Sequence, residues 1–314
     1  MSTGELLQSL RVAKGVTLRP AASDHLHRLA RCCGDILPAG LSELYRICDG
    51  ADGAGGACLR PLPVSEVICA AEWFPPLLHR WRGILCFTDD QSNYAGIYAQ
   101  GPLVDMVFLL HHEEPCSSPR YWSVDDLLRA DLGGSVEDAL WGRARAQLPA
   151  AMVAQTPQEE AKSSRLADEV SALAEVESNE DVRHELQMCA MHLLPRRRAA
   201  ELIAMLGVDD IWIPELAAEL LGVIGDEAAL PELMSLAQRG KRNGDIAAIR
   251  AIGRIGTSAA QRLLLQLAVQ PGFEPYGPYL TSAMKDAGLS AELSQGVWRY
   301  RETASSPWRR FGAG

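Results

Sequence analysis

The feature that most constrains the fold is a repeat in the second half of the chain. Residues 221–229 realign with residues 252–260 at an offset of 31 positions, and the register continues so that Leu233 falls on Leu264. A weaker copy one period earlier places Leu202 at the same phase. Apolar residues at helical spacing within such a period predict stacked pairs of amphipathic helices, the architecture of an α-solenoid.

The turn residues of this repeat support the same interpretation. Gly225 and Gly256 stand where a helix must stop, and Asp226 or Thr257 follows as a residue that can cap the next helix. The Leu-Gly-x-Ile-Gly-x-x-Ala-Ala core resembles HEAT repeats, particularly the short kind first described in phycobilin lyases. The resemblance extends over residues 181–289 and implies packing surfaces with no catalytic group.

The first half of the chain has a different pattern. Helical spacing in residues 20–50 gives way to period-two segments at 83–87, 94–98 and 104–110, and Ser123 precedes a closing helix. These segments predict an antiparallel sheet with flanking helices. The expected fold class is therefore an α+β N-terminal domain joined to an all-α HEAT-like solenoid.

Composition along the chain predicts four regions. Residues 145–157 carry no charge after Arg145 and contain two prolines, which is typical of a connector. The expected regions are an N-terminal extension, an α+β domain, a linker, and a solenoid with a C-terminal tail. Their predicted bounds are 1–16, 17–142, 143–158 and 159–314.

Three segments of the first half carry a second resemblance. They are the Gly-Asp-Ile-Leu-Pro-Ala-Gly-Leu-Ser-Glu-Leu-Tyr-Arg-Ile-Cys-Asp-Gly block at 34–50, the Thr-Asp-Asp sequence at 88–90 and the Trp-Ser-Val-Asp-Asp-Leu-Leu sequence at 122–128. Together with a helix that follows Pro20, they resemble the SUKH superfamily over residues 17–132. That superfamily includes fungal regulators of cell-wall synthesis and bacterial immunity proteins. The resemblance implies a non-enzymatic domain that binds another protein.

Charge is distributed unevenly along the chain. The formal net charge is −10, and residues 35–138 alone hold sixteen acidic against six basic side chains. Residues 239–262 hold six basic side chains against one acidic side chain. This distribution argues against direct nucleic-acid binding and favours a basic protein partner for the first domain.

Candidate chemistry is sparse. His111, His112, Glu113, Glu114 and Cys116 are residue types that bind metals, but adjacent side chains at the end of a strand point to opposite faces and do not converge. The sequence also lacks a nucleophile elbow, a phosphate-binding loop and a dinucleotide fingerprint. We therefore expect neither enzymatic activity, nor a metal, nor a cofactor.

The cysteines and the chain start predict the compartment. Eight cysteines are spaced irregularly without a Cys-x-x-Cys pair, which is typical of reduced thiols. The first fifteen residues lack the continuous apolar block of a secretory signal, and no segment is apolar enough to span a bilayer. The expectation is a cytoplasmic protein without membrane contact.

These observations lead to two hypotheses of function. In the first, the protein is an immunity protein whose acidic domain binds and neutralises a basic, nuclease-type toxin or effector in the cytosol. The predicted contacts are carboxylates with an aromatic anchor: Asp49, Asp52, Asp89, Asp90, Tyr94, Glu113, Glu114 and Trp122.

The second hypothesis is an intracellular scaffold whose solenoid binds the primary partner. Arg196, Arg197 and Arg198 follow Pro195 at the start of a repeat helix, where cations oppose the helix dipole. They are candidates for contact with an anion or with an acidic partner. The sequence leaves the oligomeric state and the identity of the partner open.

Overall fold

The computed structural model describes residues 3–14, 18–50, 59–69, 74–89, 92–110, 115–132, 156–239, 243–294, 297–302 and 306–311. The chain divides into two compact units, residues 1–194 and 195–314. The elements of the first unit, in chain order, are α1 (Thr3–Lys14), α2 (Ser23–Cys33), α3 (Ala39–Ile47), β1 (Arg60–Pro61), β2 (Ile68–Cys69), α4 (Pro76–Arg80), β3 (Gly83–Thr88), β4 (Tyr94–Tyr98), β5 (Val107–Leu110), β6 (Pro115–Tyr121), α5 (Val124–Leu132), α6 (Pro157–Val176) and α7 (Glu180–Leu193).

The first unit is built on an antiparallel sheet. Its strands follow the order β1, β3, β4, β5, β6, and β2 also pairs with β3. On one face, Ile84, Ile97 and Val107 join a core that the helices α1, α2, α3 and α5 complete. On the other face, Tyr98 contacts Trp81 beside α4. The sheet with its flanking helices confirms the predicted α+β class for the first half.

Two segments of this unit differ from their expected structure. The N-terminal stretch assigned to an extension forms α1, in which Leu6 and Leu7 are buried. The hydroxyl of Thr3 donates to Asp125 of α5 at 2.5 Å. The strand predicted at 104–110 is β5, and it begins at Val107 instead of Val104. The residues before Val107 form a turn in which Asp105 has a φ of 69°.

The second unit is a stack of three helix pairs followed by a small sheet. The pairs are α8 (Ala199–Met205) with α9 (Ile213–Ile224), α10 (Leu230–Gln238) with α11 (Asn243–Ile255), and α12 (Ser258–Ala268) with α13 (Gly277–Asp286). The strands β7 (Ser290–Ser294), β8 (Val297–Arg301) and β9 (Arg309–Phe311) pair antiparallel in that order. The stack confirms the predicted helical repeat, whereas the sheet occupies the segment that was expected to be a C-terminal tail.

The repeat determines how the helices pack. Leu202, Leu233 and Leu264, spaced 31 residues apart, are all fully buried. A Cβ atom on Gly222 would lie 2.7 Å from the Cα of Ala251, so α9 and α11 approach backbone to backbone at this glycine. The equivalent Gly253 gives the same close approach between α11 and α13.

Capping in the turns between repeats follows the expected chemistry. Gly225 and Gly256 have φ values of 72° and 67°, the left-handed conformation that favours glycine. The carboxylate of Asp226 accepts the N–H of Ala228 at 3.0 Å. The hydroxyl of Thr257 accepts the N–H of Ala260 at 3.3 Å. These local signals end one helix and start the next in each repeat.

Within the described residues, no helix combines the length and the apolar character that a membrane crossing demands. The predicted domain bounds at 142, 158 and 159 stay a prediction. By backbone contacts, α6 and α7 cluster with the first unit.

Candidate interaction surfaces

The turns inside the three helix pairs of the second unit form one continuous surface. Each of these turns joins the two helices of a pair, so the three lie at the same end of the stack. Arg239 donates to the carbonyl of Leu206 in the neighbouring turn. The side chain of Gln238 donates to Gln270 in the next turn at 3.1 Å. We call residues 206–212, 238–239 and 269–270 the turn surface.

The turn surface carries several large apolar side chains in contact with solvent. In the described part of the second unit, four of the six exposed large hydrophobic residues lie on it; the four are Val208, Ile211, Trp212 and Val269. Trp212 is 49% exposed. An exposed apolar row of this kind, on a stack whose interior is well packed, is typical of a protein-binding surface.

A carboxylate holds the tryptophan end of this surface in place. Asp210 accepts the N–H of Trp212 at 2.7 Å and the N–H of Ile213 at 2.8 Å. Both hydrogen bonds satisfy backbone donors at the start of α9, where a helix lacks internal partners. The backbone that presents Trp212 is therefore fixed, which reduces the entropy that binding would cost.

Asp49 and Asp89, two of the predicted contact residues, are engaged within the first unit. Asp49 accepts the N–H of Val64 at 2.7 Å, and its other oxygen lies 3.6 Å from Nδ1 of His25. Asp89 accepts both the backbone N–H and the side-chain amide of Asn93, at 3.0 and 2.7 Å. These carboxylates hold loops of their own domain. Asp52, Asp90, Glu113 and Glu114 lie outside the described residues.

The two predicted aromatic anchors lie at opposite ends of the sheet. Tyr94 starts β4 and pairs with Leu110, whereas Tyr121, which precedes Trp122, pairs with Val107 at the other end of β5. The sheet therefore does not bring Tyr94 and Trp122 together.

The two aromatic residues also have different surroundings. Tyr94 borders an open groove of about 290 Å³, whose described lining residues are Arg60, Leu62, Glu66, Ile68, Thr88, Ser92 and Tyr94. The Trp122 ring lies under the ammonium group of Lys162, 4.4 Å from the ring centroid, and so packs against α6.

The arginines after Pro195 occupy a short 3₁₀ turn before α8. Arg198 forms a bidentate ion pair with Glu201, in which Nη2 of the arginine lies 2.8 Å from Oε2 of the glutamate. Arg196 and Arg197 are exposed. The predicted anion contact therefore reduces to these two exposed residues, because Arg198 is already paired.

Burial controls the titratable groups inside the first unit. Burial, with Arg120 nearby, lowers the pKa of His192 to about 3, and its Nδ1 lies 2.9 Å from the carbonyl of Met188. Burial raises the pKa of the Cys33 thiol to about 12. A neutral histidine and a protonated thiol are typical of packed interiors rather than of reactive sites.

The turn surface was not among the sites predicted from the sequence. One local signal was available: Ile211 and Trp212 stand between two aspartates and Pro214, which begins a helix. Large apolar residues in such a polar turn are unusual. Their exposure follows only from the packing of the neighbouring repeats.

Comparison with known proteins bears on the second unit. A family model described as HEAT repeats matches residues 196–273. Searches of curated proteins and of solved structures returned no match. The family-model match confirms the HEAT part of the resemblance. No match to the SUKH superfamily was found, so the resemblance of the first unit to that superfamily stays a prediction. The second unit is thus similar to HEAT repeats over residues 196–273.

Proposed function

We propose that the chain is a protein-binding scaffold whose HEAT repeats hold the primary partner through the turn surface. The observation that carries the proposal is the exposed row around Trp212, fixed at its backbone by Asp210. Tryptophan is enriched among the residues that dominate binding energy at protein interfaces. The proposal assigns no catalytic step to the chain.

The polar groups around this row indicate the chemistry of the partner. Asp209 and Arg239 are exposed beside the apolar side chains, and Gln270 is half-buried. An apolar centre with a mixed polar rim is the usual composition of a protein interface. The expected partner is therefore a protein that places an apolar side chain against Trp212 and polar groups around it.

Quantitative co-purification with the full-length protein tests this proposal. Wild type, Trp212→Ala and the control Ile36→Ala are expressed in the native cell, and the proteins that copurify with each are quantified. Ile36 is an exposed apolar residue of the first unit, so its loss controls for the removal of exposed apolar area. Any protein that fails to copurify only with Trp212→Ala is then purified. Calorimetry measures its Kd for wild type and for each of the two variants.

The proposal predicts at least a roughly 30-fold weaker Kd for Trp212→Ala, the effect of losing a dominant interface residue. Ile36→Ala should bind like wild type. Equal binding by wild type and Trp212→Ala would show that the partner contacts another surface.

The charge of the first unit favours a second candidate function, the neutralisation of a basic toxin. This unit contains 27 acidic and 16 basic residues. Replacing Asp90, Glu113 and Glu114 by Ala should then slow association, and the effect should shrink as salt rises. Asp89 is left in place because it holds the turn before β4. A salt-independent, unchanged association rate would contradict this candidate.

We propose a cytosolic location for the protein. The support is chemical, because six cysteines of the described residues are outside any disulfide, as expected in a reducing compartment. They are Cys32, Cys33, Cys48, Cys69, Cys86 and Cys189.

A further inference from the structure

The small C-terminal sheet presents an arginine-rich face. Successive residues of a strand point to opposite faces, and in β8 the buried Trp298, 7% exposed, alternates with the exposed Arg299. Arg299 lies directly opposite Arg310 of β9, so both project from the same face. Arg301, two residues after Arg299, shares this face.

This face carries a net positive charge, because Arg299, Arg301 and Arg310 share it with the carboxylate of Glu292. Like charges directly opposite each other destabilise a sheet. Within the described chain, neither Arg299 nor Arg310 forms an ion pair, although Glu292 stands opposite Arg299 on β7. Arg309, by contrast, pairs with Glu302 at 3.0 Å. An anionic ligand between Arg299 and Arg310 would relieve their repulsion.

An exposed aromatic ring adjoins these cations. The guanidinium of Arg301 lies 4.8 Å from the centroid of the Trp308 ring, and Trp308 is 43% exposed. The stacking orients Arg301, and the open part of the ring offers an apolar contact beside the charges. The face therefore combines carboxylate-binding groups with a place for an apolar side chain.

We propose that this face binds an extended acidic segment of a protein partner. Directly opposite residues of paired strands lie about 5 Å apart and alternate residues of an extended peptide about 6.6 Å apart, so Arg299 and Arg310 match alternate carboxylates of such a peptide. Guanidinium groups bind carboxylates through paired hydrogen bonds. The interaction involves no turn-surface residue and stands apart from the scaffold proposal.

The charge balance favours an acidic peptide over a nucleic acid. The second unit contains 14 basic and 13 acidic residues, and Glu292 of β7 stands on the arginine-rich face, opposite Arg299. Nucleic-acid binding commonly neutralises about 6–10 phosphates over a continuous basic surface. Arg299 and Arg310 beside Glu292 suit a short segment with two carboxylates.

Fluorescence anisotropy with the full-length protein tests this inference. The probes are a labelled nine-residue peptide of alternating glutamate and valine, the same peptide with lysine for glutamate, and a labelled 12-nucleotide oligothymidine. The test variant is Arg299→Gln/Arg310→Gln. The controls are Arg262→Gln, which removes an exposed arginine of α12, and Trp212→Ala on the turn surface.

The glutamate peptide should bind wild type and both controls with the same Kd. Its Kd for the test variant should be at least about tenfold higher, because the variant loses charge-assisted hydrogen bonds. The lysine peptide should not bind. Thermal unfolding checks whether the test variant is folded. If the double variant is unfolded, the single variant Arg310→Gln takes its place.

Three results would overturn the inference. They are no binding of the glutamate peptide, equal binding by wild type and the arginine variant, and tighter binding of the oligothymidine than of the peptide. Because Trp212→Ala is measured in parallel, failure here is distinguishable from failure of the scaffold proposal.

Discussion

The close approach of α11 and α13 gives the sharpest prediction about stability. In Gly253→Ala, the new Cβ would lie 2.6 Å from the carbonyl oxygen of Ala283, 2.7 Å from its Cα and 2.8 Å from its Cβ. Ordinary contacts begin near 3.4 Å, so the helices must separate by roughly 0.8 Å. The obstacle is largely backbone, which no rotamer change relieves.

Two opposing effects set the magnitude. Alanine in place of glycine inside a helix gains about 1 kcal/mol, because the unfolded chain loses less conformational freedom. Overpacking of a tight seam costs about 1–3 kcal/mol, and more when backbone must move. Because backbone blocks the new Cβ, the cost lies at the upper end of this range, and we expect Gly253→Ala to lower the free energy of unfolding by about 2 kcal/mol net. Urea titration followed by circular dichroism measures this difference.

The start of the same helix offers a matched control. In Gly244→Ala, the nearest atom to the new Cβ is Cδ1 of Leu236 at 3.4 Å, an ordinary contact. This variant should be as stable as wild type or more stable by up to about 1 kcal/mol. If Gly253→Ala proved as stable as Gly244→Ala, the close packing of α11 against α13 would be refuted.

Three further predictions follow from single residues. The pKa of His192 is about 3, below the unfolded value near 6.5, so the unfolded chain binds more protons and stability should fall by about 1–2 kcal/mol between pH 7 and pH 5. Urea titrations at both pH values should show this loss of stability in wild type and in the control His27→Gln, which changes an exposed histidine. The loss should be absent in His192→Leu. An unchanged loss in His192→Leu would mean that other groups cause the pH dependence. At pH 8, iodoacetamide should modify the exposed Cys32 before Cys33, whose pKa is about 12, as followed by fragment-ion mass spectrometry; preferential labelling of Cys33 would contradict its burial. Asp226→Ala should lower the melting temperature through the loss of a cap of about 1 kcal/mol, and an unchanged melting temperature in scanning calorimetry would mean that the cap is dispensable.

The helical repeat was predictable because its signals are local and periodic. The 31-residue offset places leucines on one face, and glycine and a capping residue mark each turn. Each unit buries its apolar face against the next, so periodicity alone determines the stack. The antiparallel sheet of the first unit was predictable for a similar reason, since its strands are bounded by turn residues.

The C-terminal sheet shows where local patterns were misread. Alternation is present in Val-Trp-Arg-Tyr-Arg at 297–301, but the strands are short and β9 has only three residues. Isolated short strands are marginal, and this sheet depends on the burial of Trp298. The basic composition was visible in the sequence, whereas the pairing of Arg299 with Arg310 needed the register.

The predicted contact residues show what composition leaves undetermined. Acidic residues were abundant in the first half, but Asp49 and Asp89 accept hydrogen bonds from their own loops. Trp122 packs under Lys162. A sequence gives the charge of a side chain, whereas its availability to a partner depends on contacts with distant segments.

Site-specific photo-crosslinking in the native cell tests the scaffold account most directly. A photoreactive amino acid replaces Val208 or Val269 on the turn surface, which leaves Trp212 in place, or Ala228 or Ser258 in the turns at the other end of the helices; all four positions are exposed. Positions 208 and 269 should give an adduct with the same protein, and positions 228 and 258 should give none with it. Adducts from 228 and 258 alone would contradict the account.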